Sequence, residues 1–322
     1  MIPLTIHIGM NKTGTTALQR TIFHNRAALL RAGLLYPKVG MGSRSAGAGL
    51  HFKLSAAFRK GGMGGEALVQ DLLHEIDGSK ASAALVSSEF FVEVRDVAAL
   101  AKTLAGRPVR ILVYLRRHDH WVNSLFSQAI KSQAGPPWAP NVEAFIDHIQ
   151  KNLAHYFTYS RLLDRWADAF GQDALEVRLY DGAGAQDIVA DVLGDFGLVP
   201  GEIAGFKPRT ERLNVSPSRR QLAAIDHVQR APYPESVRRS LINRILAKAD
   251  AGATCQLMTA TTARDLLTAQ AEDYADIARR YFGRPGGPLF DEAPPAPEGP
   301  KRIALWPGEG IGVLSQLLAE TL

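Results

Sequence analysis

The sequence predicts an α/β fold: a three-layer doubly wound sandwich around a central, mainly parallel sheet, with a helical C-terminal part. Three observations carry that expectation. Short apolar runs alternate with amphipathic stretches of helical period through the first two hundred residues. The runs are continuously apolar rather than alternating, as strands covered by helices on both faces must be. The chain also opens with Ile2-Pro3-Leu4-Thr5-Ile6-His7-Ile8 emptying into Gly9-Met10-Asn11-Lys12-Thr13-Gly14-Thr15-Thr16-Ala17-Leu18-Gln19, which reads as strand, glycine loop and helix.

The remaining elements follow in order. Residues 15–24 continue as an amphipathic helix, and Asn25 can cap a second over 26–32 that stops at Gly33. Leu34-Leu35-Tyr36-Pro37 is a short extended piece. Residues 39–49, with Arg44, and the run Gly61-Gly62-Met63-Gly64-Gly65 have the composition of surface loops. Helix is then expected over 66–76, 96–104, 118–133, 159–170 and 187–196, and strand over 83–87, 109–115 and 175–179. Beyond Gly197 a polar, basic loop over 206–217 leads to helices at 218–230, 235–249 and 259–281. These elements suit one α/β domain over 1–282 with a helical subregion at about 216–282. A Pro/Gly-rich segment spans 283–300, and a tail over 301–322 carries an apolar helix-like stretch for packing on the body or on a second subunit, as in a homo-oligomer.

Bulk numbers narrow the class. The 322 residues are 46% apolar and 21% charged, an ordinary globular balance with room for a sizeable core. Lysine and arginine total 37 against 32 aspartates and glutamates, a net charge of +5 that suits an anionic ligand but is far from a nucleic-acid-binding tail. The single cysteine, Cys255, allows no internal disulfide and reads as a buried small hydrophobe. No basic leader precedes the first strand, and no apolar stretch approaches the roughly 20 residues that span a bilayer, so a cytoplasmic protein without a transmembrane segment is expected.

The opening loop carries the chemistry. Gly9 and Gly14 stand at the glycine positions of the phosphate-loop pattern G-x-x-x-x-G-K-[ST], and Thr16 stands at its hydroxyl position. The lysine position, however, holds Thr15, and the lysine lies earlier, at Lys12. Backbone N–H groups at a helix start select for an anion, whatever its chemistry. A second segment, Ile111-Leu112-Val113-Tyr114-Leu115-Arg116-Arg117, ends a buried strand in two arginines and runs into a helix bearing Ser124. The carboxyl ends of parallel strands face the ligand crevice, so Arg116 and Ser124 can grip a second phosphate group.

With these two motifs the sequence resembles the sulfotransferases that use 3′-phosphoadenosine-5′-phosphosulfate. Lys12-Thr13-Gly14-Thr15-Thr16-Ala17-Leu18 matches the family's loop for the 5′-phosphosulfate, and Arg116 with Ser124 matches its site for the 3′-phosphate at the family spacing. The closest likeness is to bacterial members whose loop continues into Leu-Gln. The resemblance implies a P-loop-NTPase-like fold, with Lys12, Thr13, Gly14, Thr15, Thr16, Arg116 and Ser124 binding the donor. It implies transfer of the sulfuryl group to a hydroxyl or amine, adenosine 3′,5′-bisphosphate as product, and no need for a metal. It also puts the catalytic base after the second strand, where Ala83-Ala84-Leu85-Val86-Ser87-Ser88 delivers Glu89; His51 is the alternative base, and Lys12 the charge-neutralising group. Where many members have Asn-Pro this chain has Arg117-His118, and Arg117 reads as a solvated or supporting charge.

Other residues have weaker assignments. Arg209 and Arg212, in the basic loop, are candidates for closing over the nucleotide, and Trp121 or Phe206 for stacking on adenine, although core packing is the commoner use of an aromatic. The loops at 39–49 and 132–142, including Trp138, are expected to shape the acceptor site, whose occupant can be a carbohydrate, lipid, peptide or small molecule. His118-Asp119-His120 does not suit a metal, because positions i and i+2 at a helix start point apart; Asp119 suits the first helical turn as a charge. Two competitors remain: a P-loop kinase or NTPase using Mg·ATP, which calls for lysine at position 15, and a noncatalytic anion- or nucleic-acid-binding module.

Overall fold

A computed structural model describes residues 1–42, 49–59, 65–180, 188–208, 217–247 and 256–296, together with Gly312. In chain order the elements are β1 (Leu4–His7), α1 (Thr15–His24), α2 (Arg26–Arg31), β2 (Leu34–Leu35), α3 (Phe52–Ala57), α4 (Gly65–Asp77), β3 (Ala83–Ser87), α5 (Val97–Thr103), β4 (Val109–Leu115), α6 (His118–Ser132), α7 (Val142–Asn152), α8 (Tyr159–Phe170), β5 (Leu175–Leu179), α9 (Ile188–Gly194), α10 (Arg219–Arg230), α11 (Glu235–Ala247), α12 (Ala260–Thr268) and α13 (Ala271–Phe282). The strands form one parallel sheet in the order β2-β3-β1-β4-β5. The fold is therefore α/β with a parallel central sheet and flanking helices.

The chain divides into two compact units. The first comprises Met1–Arg116, Thr158–Glu211 and Asp273–Phe290, and the second Arg117–Phe157, Arg212–Glu272 and Asp291–Leu322. The sheet belongs to the first. Leu85 of β3 and Leu112 and Tyr114 of β4 are buried in one cluster with Leu18 and Ile22 of α1, Leu29 of α2 and Val192 and Leu193 of α9. The alternate strand residues Ala84, Val86, Ile111 and Val113 point to the opposite face and are equally buried. On that side α8 packs on β4 and β5 and α5 packs on α8. Burial on both faces is why these strands read as unbroken apolar runs.

The second unit is helical. Helix α6 packs on α10, α7 and α12, and α10 also packs on α11. Its Trp138, expected to shape an acceptor loop, is only 8% exposed, with its ring edge-on to Phe145 at 5.0 Å and beside His148 at 5.0 Å, so it fills core space. Trp121, a candidate for stacking on adenine, is likewise buried and stacked on Tyr156 at 5.9 Å. Arg117 is not a solvated charge. It is 5% exposed, makes a bidentate pair with Asp119 at 2.8 Å and reaches Glu292 at 3.2 Å.

Three features depart from the expected elements. Helix α3 takes up residues that follow the first glycine-rich loop, and α7 follows Trp138, begun by Asn141, whose side chain accepts a hydrogen bond from Ala144 N–H. The long C-terminal helix is two helices, broken after Thr268 and resumed at Ala271. Arg44, the Gly61–Gly64 run, Arg209, Arg212, Cys255 and the apolar tail segment lie outside the described residues. Among the described residues, no helix is long and apolar enough to cross a membrane.

Candidate anion-binding site

The loop from Gly9 to Thr16 joins β1 to α1 at the carboxyl end of the sheet. Two residues take left-handed backbone conformations, Lys12 at φ 69° and Gly14 at φ 76°. Interleaving such residues with ordinary ones turns successive N–H groups toward one side, the geometry of an anion-binding nest. The N–H groups of Thr13, Gly14, Thr15 and Thr16 make no hydrogen bond among the described residues. Helix α1 has no acidic residue in its first turn, so nothing on its own surface competes for the positive end of its dipole.

Packing fixes the loop from beneath. Thr13 is fully buried and its hydroxyl donates to Met10 O at 2.6 Å. Gly9 sits so close to its neighbours that an added Cβ would lie 2.5 Å from the Thr15 methyl and 3.1 Å from the His7 ring. Thr15 is therefore committed to packing; only 5% of it is exposed. Thr16, the next residue, is exposed, and Lys12 is half-buried.

Arg116 comes to the same loop from the end of β4. Its Nη1 donates to Lys12 O at 2.8 Å, and its guanidinium lies 5.5 Å from the centre of the Tyr180 ring. The hydroxyl of buried Tyr159 donates to Arg116 O at 2.6 Å. Tyr180, which follows β5, also borders Gly14, where an added Cβ would meet its ring at 3.3 Å. Sequence reasoning passes over Tyr180, although the end of a parallel strand is where ligand-facing residues gather. Ser124 stands on α6 in the second unit and is half-buried.

Glu89 opens a short 3₁₀ turn, Glu89–Glu93, that β3 enters through Ser88, whose hydroxyl accepts from Phe90 N–H. Its Oε2 accepts from Gln19 Nε2 at 2.9 Å, and the same amide nitrogen donates to Ser87 Oγ at 3.2 Å. Ser87 is the register partner of His7 across β1 and β3, and its Oγ lies 2.8 Å from His7 Nδ1. His51 is also brought here but is turned to the backbone. Its Nδ1 accepts from Ser87 N–H at 3.1 Å and its Nε2 donates to Pro37 O at 3.0 Å. Burial pushes both imidazoles down, His7 to about 3, with the Arg178 charge adding to it, and His51 to about 4. Both rings are neutral at neutral pH.

Phe206 is half-buried against the apolar cluster of the first unit. Lys207, at the start of the basic loop, is tied to the α1–α2 junction: Asn25 Nδ2 donates to Lys207 O at 3.0 Å, and Lys207 N–H donates to Asn25 Oδ1 at 2.7 Å. Among the described residues, no group of three or more His, Cys, Asp or Glu side chains is arranged to hold a metal ion.

No protein-family model matches the chain. An uncharacterized protein of Archaeoglobus fulgidus is 34% identical over 99 residues, which are 30% of this chain and 24% of that relative, so the chain spans about a quarter of the relative's length. Among solved structures, a sulfotransferase from Alicyclobacillus acidocaldarius aligns over 76% of this chain and 96% of its own, at 18% identity and a TM-score of 0.39.

Proposed function

We propose that the protein is a sulfotransferase that moves the sulfuryl group of 3′-phosphoadenosine-5′-phosphosulfate to a hydroxyl or amine of an acceptor. The observation that supports this reading best is the loop itself, whose lysine is at position 12 while position 15 is a threonine committed to packing against Gly9. A Mg·ATP enzyme of the P-loop type needs a lysine where Thr15 stands.

In this reading the N–H groups of Gly14, Thr15 and Thr16 hold the 5′-phosphate, with Thr13 buttressing the loop. Arg116 and, by the motif spacing, Ser124 take the 3′-phosphate. The acceptor oxygen or nitrogen attacks sulfur as the bond from sulfur to the bridging phosphate oxygen breaks, and that electron pair leaves on adenosine 3′,5′-bisphosphate. Lys12 offsets the charge that builds on the bridging oxygen, the kind of fixed electrostatic help such displacements need most. The acceptor's proton passes to Glu89. Glu89 is preferred to His51 as base because both ring nitrogens of His51 are engaged by backbone groups and the ring is wholly buried.

Calorimetry with adenosine 3′,5′-bisphosphate in the absence of metal tests the reading. Binding is expected, and Lys12→Ala and Arg116→Ala should each weaken it by about tenfold or more, the worth of a charge-assisted contact. A preference for Mg·ATP over the bisphosphate would overturn it. Acceptor classes are then sorted by offering carbohydrates, lipids, peptides and phenols together with radiolabelled donor.

A further inference from the structure

The side chains of His7, Ser87 and Gln19 form an unbroken hydrogen-bonded chain that ends on Glu89. His7 ends β1 and Ser87 ends β3 directly opposite it, and the imidazole and hydroxyl meet at 2.8 Å. Gln19, one helical turn beyond Thr15 on α1, divides its two amide hydrogens between Ser87 Oγ and Glu89 Oε2 at 3.2 and 2.9 Å. His7, Ser87 and Gln19 are respectively 0%, 1% and 4% exposed, whereas Glu89 is half-buried. A buried amide and hydroxyl survive only when hydrogen-bonded, so this chain holds the Gln19 amide and the Ser87 hydroxyl in place. Ser87 is also gripped through its backbone, by His51 Nδ1 on its N–H and by His51 N–H on its carbonyl at 2.8 Å.

We propose that Gln19, braced by Ser87 and His7, is a positioning residue that fixes the Glu89 carboxylate relative to the phosphate loop. The assignment rests on the sulfotransferase reading of that loop. Gln19 rides on the helix whose first N–H groups would hold the donor, so donor and base are referred to a single rigid element. His7 stays neutral throughout the working pH range, because burial holds its imidazole down at about 3, and so keeps its bond to Ser87 unchanged.

The test is a double-mutant cycle on the whole chain. It reads radiolabelled sulfate passed from the donor to water or to a panel of hydroxyl and amine acceptors, with bisphosphate affinity measured alongside. Gln19→Leu should slow transfer about 10- to 100-fold, the cost of a misplaced reacting group, while the Kd for the bisphosphate stays within about twofold. In a Glu89→Gln background, Gln19→Leu should cost nothing further, because the carboxylate it positions is gone. Equal slowing in both backgrounds, or none in either, overturns the relay. If Gln19→Leu does not fold, Ser87→Ala makes the same comparison by removing one of the two anchors of the amide. A wild-type protein that binds no bisphosphate or transfers no sulfate defeats the reading of the site itself, and the relay falls with it; normal wild-type transfer with an unimpaired Gln19→Leu defeats the relay alone.

Discussion

At the scale of single residues, the loop is shaped by what its neighbours exclude. Gly9 has no room for a methyl group, so Gly9→Ala should destabilise the fold by about 1–3 kcal/mol, the usual cost of overpacking, read as a lower denaturant midpoint. Gly14→Ala carries a different cost: at φ 76° an L-residue pays roughly 1–2 kcal/mol, and bisphosphate binding should weaken as the loop relaxes. Lys12, Gly14 and Arg116 stand out in the sequence because each belongs to a local motif, and Glu89 because it follows an apolar run. Gln19 is visible as a letter but not as a partner of Glu89, since a contact between residues 70 positions apart leaves no local trace. Tyr180 and the His7–Ser87 pair are hidden for the same reason.

At the scale of elements, strand bounds are the most legible part of the chain. β3 and β4 coincide with the apolar runs at 83–87 and 109–115, because near-continuous burial leaves a continuous signal, and β5 coincides with 175–179 although its Glu176 and Arg178 alternate with apolar residues. Helices are read less well where local cues are weak or mislead. The six residues of α3 lack a side-chain cap, and no glycine or proline marks the break between α12 and α13. Helix α7 does carry a signal, with buried Val142, Phe145, Ile146 and Ile149 at helical spacing behind Asn141. Between elements, the Asn25 clamp on Lys207 is the joint to probe. Asn25 is 4% exposed, and among the described residues its side chain makes three hydrogen bonds, two of them to Lys207. Asn25→Ala should cost about 1–3 kcal/mol, read as a lower denaturant midpoint.

At the scale of the whole molecule, three fully buried histidines make the protein acid-sensitive. His7 is held down at about 3, and His51 and His118 at about 4, in each case mainly by burial. Folded-state values below the usual 6.5 mean that the unfolded chain takes up protons the native state refuses. The stabilisation is present above about pH 6.5 and is lost as pH falls toward 4 for His51 and His118 and toward 3 for His7. Each histidine contributes a slope of about 1.4 kcal/mol per pH unit in that window, so the three together approach about 4. Urea unfolding at pH 7.5 and 5.5 should differ accordingly, and His118→Phe should flatten the dependence by about one proton. Identical midpoints at the two pH values would show that these rings are not buried neutral.

The order in which the chain is made gives the capping of α8 a temporal meaning. Asp273 accepts from Tyr159 N–H at 2.8 Å and Ser160 N–H at 3.1 Å, closing the start of the helix whose tyrosine hydroxyl holds Arg116 O. During synthesis at roughly 5–20 residues per second, Asp273 emerges roughly 10–30 s after Arg116. The nascent strand end that carries the proposed nucleotide arginine must wait that long for its last support. A protein truncated before Asp273 should therefore stay bound to chaperones even though β1 to β5 have left the ribosome.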